Sequence, residues 1–261
     1  MVRPSRRKKI LPSASTPLFT AVGLAWISNI SAVGQECCIE SDRRIEFLDS
    51  TESTGLGSSL DVDSNRLVVG AVYYPDGQFN GAVLVFARDN NGTPSDHEDD
   101  TWFSEDLLTP ADPAPSANFG NDVAVAGDWI VAGRYSDSTM DAFAGSVYVF
   151  RRSNLTGSHP WIQHQKLYAS DSSRNLGFGG SVAIERNSIV VGATGCAALA
   201  QTCTARGRVY IFVRNDSGTP DDLSDDAWNE RQVLSAPDGV GADYFGNDLA
   251  LNGDRMSMSR K

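Results

Sequence analysis

The chain has 261 residues, 41% of them apolar, with 24 glycines and a formal charge of −11. An acidic balance of that size repels nucleic-acid phosphates and anionic membrane surfaces, so neither is expected as a partner. The length suits one large all-β domain or two smaller ones.

The first 34 residues read as a leader. Arg3, Arg6, Arg7, Lys8 and Lys9 make a basic start, an uncharged stretch follows with its apolar heart at 18–27, and Ala32-Val33-Gly34 offers the small residues that a signal peptidase reads. That heart is too short to cross ~30 Å of hydrocarbon. The expectation is a cleaved signal peptide, a secreted or cell-surface protein, and no membrane span after cleavage. Cleavage removes five cations and no anions, taking the charge from −11 to −16. Glu36 precedes Cys37 where a lipid anchor would need a small residue.

Residues 35–43 read as a linker. The four cysteines fit export: Cys196 and Cys203 share one predicted loop and are expected to close a small disulfide. Cys37 and Cys38 are adjacent, and their pairing, with each other or with another chain, stays open. The histidines at 97, 159 and 164 are too scattered for a structural zinc site.

From residue 44 onward one unit recurs. Leu56-Gly57, Phe119-Gly120, Phe178-Gly179 and Phe245-Gly246 stand 63, 59 and 67 residues apart. After each comes a period-two stretch, such as Asp122-Val123-Ala124-Val125 or Ser181-Val182-Ala183-Ile184, which predicts a strand with one buried face. A turn follows: Asp63-Ser64-Asn65, Ala126-Gly127-Asp128, Glu185-Arg186-Asn187 and Asn252-Gly253-Asp254. Next are Leu67-Val68-Val69-Gly70-Ala71, Ile130-Val131-Ala132-Gly133 and Ile189-Val190-Val191-Gly192-Ala193. Such runs of β-branched residues read as strands buried on both faces, and the closing glycine suggests a close backbone approach near a crowded centre. Third strands start at Gly81, Gly145 and Gly207 and close on Arg88, Arg152 and Arg214. A polar loop then leads to Trp102, Trp161 or Trp228 and a fourth strand, for which residues 45–48 serve the first unit. No helical period is sustained after residue 40. The unit is therefore a four-stranded antiparallel meander, with boundaries at 44–88, 102–152, 161–214 and a partial 228–258.

The recurring string of Phe-Gly, Ser-Val-Ala, Ile-Val-Val-Gly-Ala, Gly-x-Val-Tyr-Val-Phe-x-Arg, Trp and Leu resembles the FG-GAP repeat of integrin-α-like β-propellers, in its secreted bacterial form. The resemblance covers about residues 44–258. It implies propeller blades, a role in extracellular binding or cell adhesion, and no catalytic residues. With three units and part of a fourth, ending Met256-Ser257-Met258-Ser259 where Val-Val-Gly-Ala was due, the expectation is about three and a half blades in an open arc. Its exposed edges invite self-association. The family's calcium hairpin is not reproduced: only Asp61, Asp63 and Asn65 keep the alternate ligand spacing, without the glycine or the later acid.

Two loops share a skeleton of Asn or Asp, Gly-Thr-Pro and a run of acids. Asp89, Asn91, Asp96, Asp99 and Asp100 in one, and Asp216, Asp221, Asp222, Asp225 and Asp226 in the other, are candidate Ca²⁺ ligands, the alternative being a solvated acidic loop. The middle unit has no acids there. Asn91, Asn154 and Asn215 stand in glycosylation sequons, which count only in a source that makes N-glycans. The tryptophans are expected to pack between blades, and Arg88, Arg152 and Arg214 to pair with carboxylates at strand ends. No histidine accompanies a nucleophile motif, so no enzyme is expected. The reading is an extracellular binding or adhesion module for a protein or a glycan. The alternatives are a calcium- or carbohydrate-binding part of a larger exported enzyme, or a truncated fragment without a function of its own.

Overall fold

A computed structural model describes residues 54–74, 80–153, 160–195, 206–219, 222–240, 243–253 and 255–260. The predicted leader, Cys37, Cys38, the strand at 45–48, Cys196, Cys203, Asn154, His159 and Asp221 lie outside the described residues.

The described elements are all strands, in three four-stranded antiparallel sheets and one two-stranded sheet. The first sheet holds β1 (Leu56–Asp63), β2 (Arg66–Ala71), β3 (Ala82–Asp89) and β4 (Thr101–Leu108). The second holds β5 (Val123–Ala126), β6 (Trp129–Arg134), β7 (Ser146–Arg152) and β8 (Trp161–Leu167). The third holds β9 (Phe178–Glu185), β10 (Ser188–Ala193), β11 (Arg208–Asn215) and β12 (Ala227–Leu234). β13 (Leu249–Asn252) and β14 (Arg255–Met258) make the half sheet. Neighbours in sequence are neighbours in each sheet, as short hairpins require. By hydrogen bonding, the strand opening on Trp102 or Trp161 closes the sheet before it. The sequence repeat, cut at the polar loop, therefore joins the last strand of one sheet to the first three of the next.

The sheets stack as blades of an open, partial propeller. Phe119, Phe178 and Phe245 each form a parallel bridge to a glycine of the preceding sheet: Gly81, Gly145 and Gly207. Phe119 meets the Tyr148 ring edge-on at 5.3 Å, and Phe178 meets Tyr210 in the same way at 5.2 Å. Both phenylalanines are wholly buried. Burial of a side chain of that size is worth ~1.5–3 kcal/mol, so the Phe of Phe-Gly is a rivet between sheets. The core runs through these junctions. One cluster joins Val68, Val83 and Val85 to Val123, Tyr148 and Trp161; another joins Val131 and Val149 to Val182, Tyr210 and Trp228. Trp161 and Trp228 pack between blades as expected, while Trp102 sits half-buried against its own sheet.

The glycine closing the second strand makes the close backbone approach expected of it, and the structure shows what approaches. A Cβ on any of Gly70, Gly133 and Gly192 would collide with the carbonyl oxygen of Gly120, Gly179 or Gly246, the Gly of the next Phe-Gly. They are seats on which the following blade rests. Just after β14, Ser259 stands at that place: Gly246 N–H donates to Ser259 O at 3.0 Å, as Gly120 N–H donates to Gly133 O at 2.9 Å.

Candidate functional site

Four strands face the axis of the arc: β1, β5, β9 and β13, the first of each sheet. They line an open groove of about 870 Å³ whose rim carries Asp63, Asp122, Asp128, Glu185 and Asp248 against Arg186 and Arg214. Because strand side chains alternate, every second residue of one inner strand faces the next inner strand. In β1 these are Ser59, Asp61 and Asp63. Val123 N–H donates to Ser59 Oγ (3.2 Å), Val125 N–H to Asp61 Oδ2 (2.8 Å) and Gly127 N–H to Asp63 Oδ2 (2.6 Å). Asp122 accepts from Ser59 Oγ at 2.6 Å and from Val182 N–H at 2.7 Å, and Glu185 accepts from Gly253 N–H at 2.7 Å. Acceptor side chains of each blade thus fasten the free backbone edge of the next. Burial pushes the Asp61 and Asp122 carboxyls up from the ordinary value; for Asp122 the neighbouring charge of Asp248 adds to it.

Asp61, Asp63 and Asn65 therefore do not converge. Asn65 Oδ1 accepts instead from Arg88, at 2.8 Å from Nη2 and 3.1 Å from Nε. The two acid-rich loops adopt one shape. Thr93 Oγ1 donates to the Asp99 carboxylate (2.8 Å) and Thr219 Oγ1 to that of Asp225 (2.7 Å). Arg88 pairs with Asp100 (3.2 Å) and Arg214 with Asp226 (3.3 Å). Asp89 accepts from Asn91 N–H, Asp96 from Glu98 N–H, Asp216 from Gly218 N–H and Asp222 from Ser224 N–H. These four acids close their own turns, the others are held by a threonine or an arginine, and among the described residues no three His, Cys, Asp or Glu side chains gather as a metal site would. Arg152 reaches Glu105 at 3.7 Å and Asp128 at 3.9 Å, so all three repeated arginines pair with carboxylates. The sequon residue Asn91 is exposed in its loop and donates to Asp99 O; in the matching loop Asn215 Oδ1 accepts from Ser217 N–H.

A charge cluster with a buried centre, Arg134 and Asp137, and an exposed edge at Asp112 escaped the sequence reading. Lys166 Nζ lies 2.6 Å from Asp112 and 2.7 Å from Asp137, and Arg134, 1% exposed, donates to Tyr148 Oη at 2.5 Å. Tyr148 in turn donates to Asp112 at 2.6 Å, as Tyr210 does to Asp171. The Tyr–Asp pair recurs and ties the linker before each blade to its third strand. Arg134 and Lys166 do not recur, because Ala193 and Val233 stand in their places in the third blade, where Arg208 pairs with Asp171 instead. Burial pushes Tyr148 up to about 12, and the hydrogen bond to Asp112 acts the same way. The only signal available was an aspartate 36 residues before Tyr148 and another 39 residues before Tyr210.

No helix among the described residues is long and apolar enough to cross a membrane. A search of curated proteins finds no match. The family model for the FG-GAP repeat matches residues 102–150, 161–212 and 228–257, half of the chain in all. Each stretch opens on the tryptophan of a fourth strand, and the first two carry the Phe-Gly rivet and the glycine seat described above. The chain belongs to the FG-GAP repeat family.

Proposed function

We propose that this chain is an extracellular, non-catalytic binding module that recognises a protein or a glycan through its inter-strand loops. The carrying observation is where the blades agree and where they differ. Strands, rivets and seats recur from blade to blade. The loop joining the third strand to the fourth is acid-rich in the first and third blades and free of acids in the second. A scaffold that holds its strands constant and varies its loops suits recognition. The family supports the same reading, because FG-GAP propellers generally act as binding modules.

The test is direct. The secreted chain is screened against immobilised glycans and extracellular-matrix proteins. Residues 90–99 are then exchanged for a neutral loop of equal length, with the fold checked by circular dichroism. Saturable binding weakened at least tenfold by the exchange is the expected result. A folded chain that binds nothing in either panel sinks the proposal.

A further inference from the structure

The ladder between inner strands has a gap. In β1, Asp61 and Asp63 accept from Val125 and Gly127 of β5. The places matching Asp61 and Asp63 in the second blade are Ala124 and Ala126, and the donors matching Val125 and Gly127 in the third blade are the N–H groups of Ile184 and Arg186. The junction of the third and fourth blades keeps one of its two acceptors, Glu185, with Ala183 at the other place. Between the second and third blades both are missing. The two-residue turn makes Glu185 and Ser188 the hydrogen-bonded pair, so Ile184 N–H points away from β10, and outside the strand ladder no acceptor reaches Ile184 N–H or Arg186 N–H among the described residues. All four residues line the groove. Arg186 is exposed and makes no ion pair among the described residues, which leaves a cation beside the two donors.

We propose that this gap binds an extended acidic peptide with carboxylates two residues apart, which supplies from outside what Asp61 and Asp63 supply to the preceding junction. Alternate residues of a strand stand ~7 Å apart, so a single carboxylate cannot serve both donors, whereas an Asp-x-Asp segment can. The neighbouring carboxylates do not fill the gap: Asp122 is engaged by Ser59 and Val182, and Glu185 by Gly253. Hydrogen bonds to ionised acceptors are among the stronger ones, and two of them with Arg186 nearby must outweigh repulsion from Asp122, Asp128, Glu185 and Asp248 on the same groove for acids to be preferred over amides. The proposal does not depend on the loops and stands or falls apart from the adhesion reading.

The experiment is an amide-resolved NMR titration of the full chain at 0.15 M salt, which screens its overall negative field. The probe is the blocked peptide acetyl-Asp-Val-Asp-amide, with acetyl-Asn-Val-Asn-amide as control. Saturable shifts at Ile184 and Arg186 with the acidic peptide, at least fivefold weaker with the amide peptide, are expected. Ala126→Asp should place an internal carboxylate on Arg186 N–H and abolish the Arg186 response. Equal response to both peptides, no saturable shift at these two amides, or an unchanged Arg186 response in a folded A126D chain would overturn the proposal. The wild-type titration decides the matter even if A126D does not fold.

Discussion

Trp161 and Trp228 occupy the same place in consecutive blades and differ in one hydrogen bond. Trp161 Nε1–H donates to Glu105 at 3.0 Å, and Arg66 holds the same carboxylate through two bonds. Burial works against the charge on Glu105, yet the bonds from Arg66 and Trp161 keep its carboxyl below the usual range. In the next junction His164 replaces Glu105 and Trp129 replaces Arg66. His164 turns its ring to the Asp226 carbonyl and Trp129 packs edge-on against Trp228 at 5.4 Å, so the buried Trp228 Nε1–H finds no acceptor among the described residues. A buried donor without a partner costs ~1–3 kcal/mol. Trp161→Phe therefore removes a working bond, and Trp228→Phe removes a liability. The expected outcome in urea unfolding is that W161F costs more than W228F, by about 1 to 2 kcal/mol. Equal losses would refute the difference in pairing. The tryptophans' inter-blade position was legible from their once-per-blade recurrence. Their partners were not, because Glu105 lies 56 residues before Trp161 and nothing local marks it.

At the scale of one element, the second blade holds its preceding linker by charge. Burial alone would raise the Asp137 carboxyl. Hydrogen bonds from Lys166, Thr139 and Ser146 overcome it and hold the group well below the usual range. The unfolded chain therefore takes up this proton first. Asp137 contributes its full stabilisation above about pH 5 and loses it progressively as the pH falls toward its depressed folded value. The raised Asp61 and Asp122 carboxyls act in the opposite sense: they protonate earlier in the folded chain, and so add stability as the pH falls through their folded values. Lys166→Met leaves Asp137 with Arg134 as its one cation beside Thr139 and Ser146, and should cost about 3 kcal/mol at pH 7. Its stability should then fall less steeply than wild type below pH 5, because Asp137 is less depressed. Parallel curves from denaturant titrations at pH 7, 5 and 3.5 would contradict this. The strands of this blade were legible from alternation and β-branched runs. The cluster was not, since Asp112 sits in a linker that no periodicity marks and Arg134 stands where its relatives in other blades carry alanine.

Across the whole molecule, the period of the Phe-Gly pairs foretold both the number of blades and their open arrangement. It did not say which strand faces the axis. That depends on side chains reaching one full period along the chain, as Asp61 reaches Val125 over 64 residues. Nor did it say what the glycine seats meet, because a glycine ending a buried strand marks close approach without naming what approaches. The seats make stacking sensitive to a single methyl group. Gly133 has no unusual backbone conformation, so alanine there is a matter of space alone, and the obstacle is the backbone oxygen of Gly179. Overpacking of this kind costs ~1–3 kcal/mol. Gly133→Ala should reach the upper end of that range, with faster hydrogen exchange at Gly179 and Val182 than at β3. A loss under 0.5 kcal/mol would mean that the blades slide freely on one another.

The serine at position 259 follows from the same geometry. Its hydroxymethyl group stands where three earlier sheets offer bare backbone to their successor. A Phe-Gly corner placed there as Gly120 is placed on Gly70 would meet a serine side chain instead of a bare Cα. Ser259→Gly would restore on this flank the bare backbone that Gly70, Gly133 and Gly192 present to their neighbours.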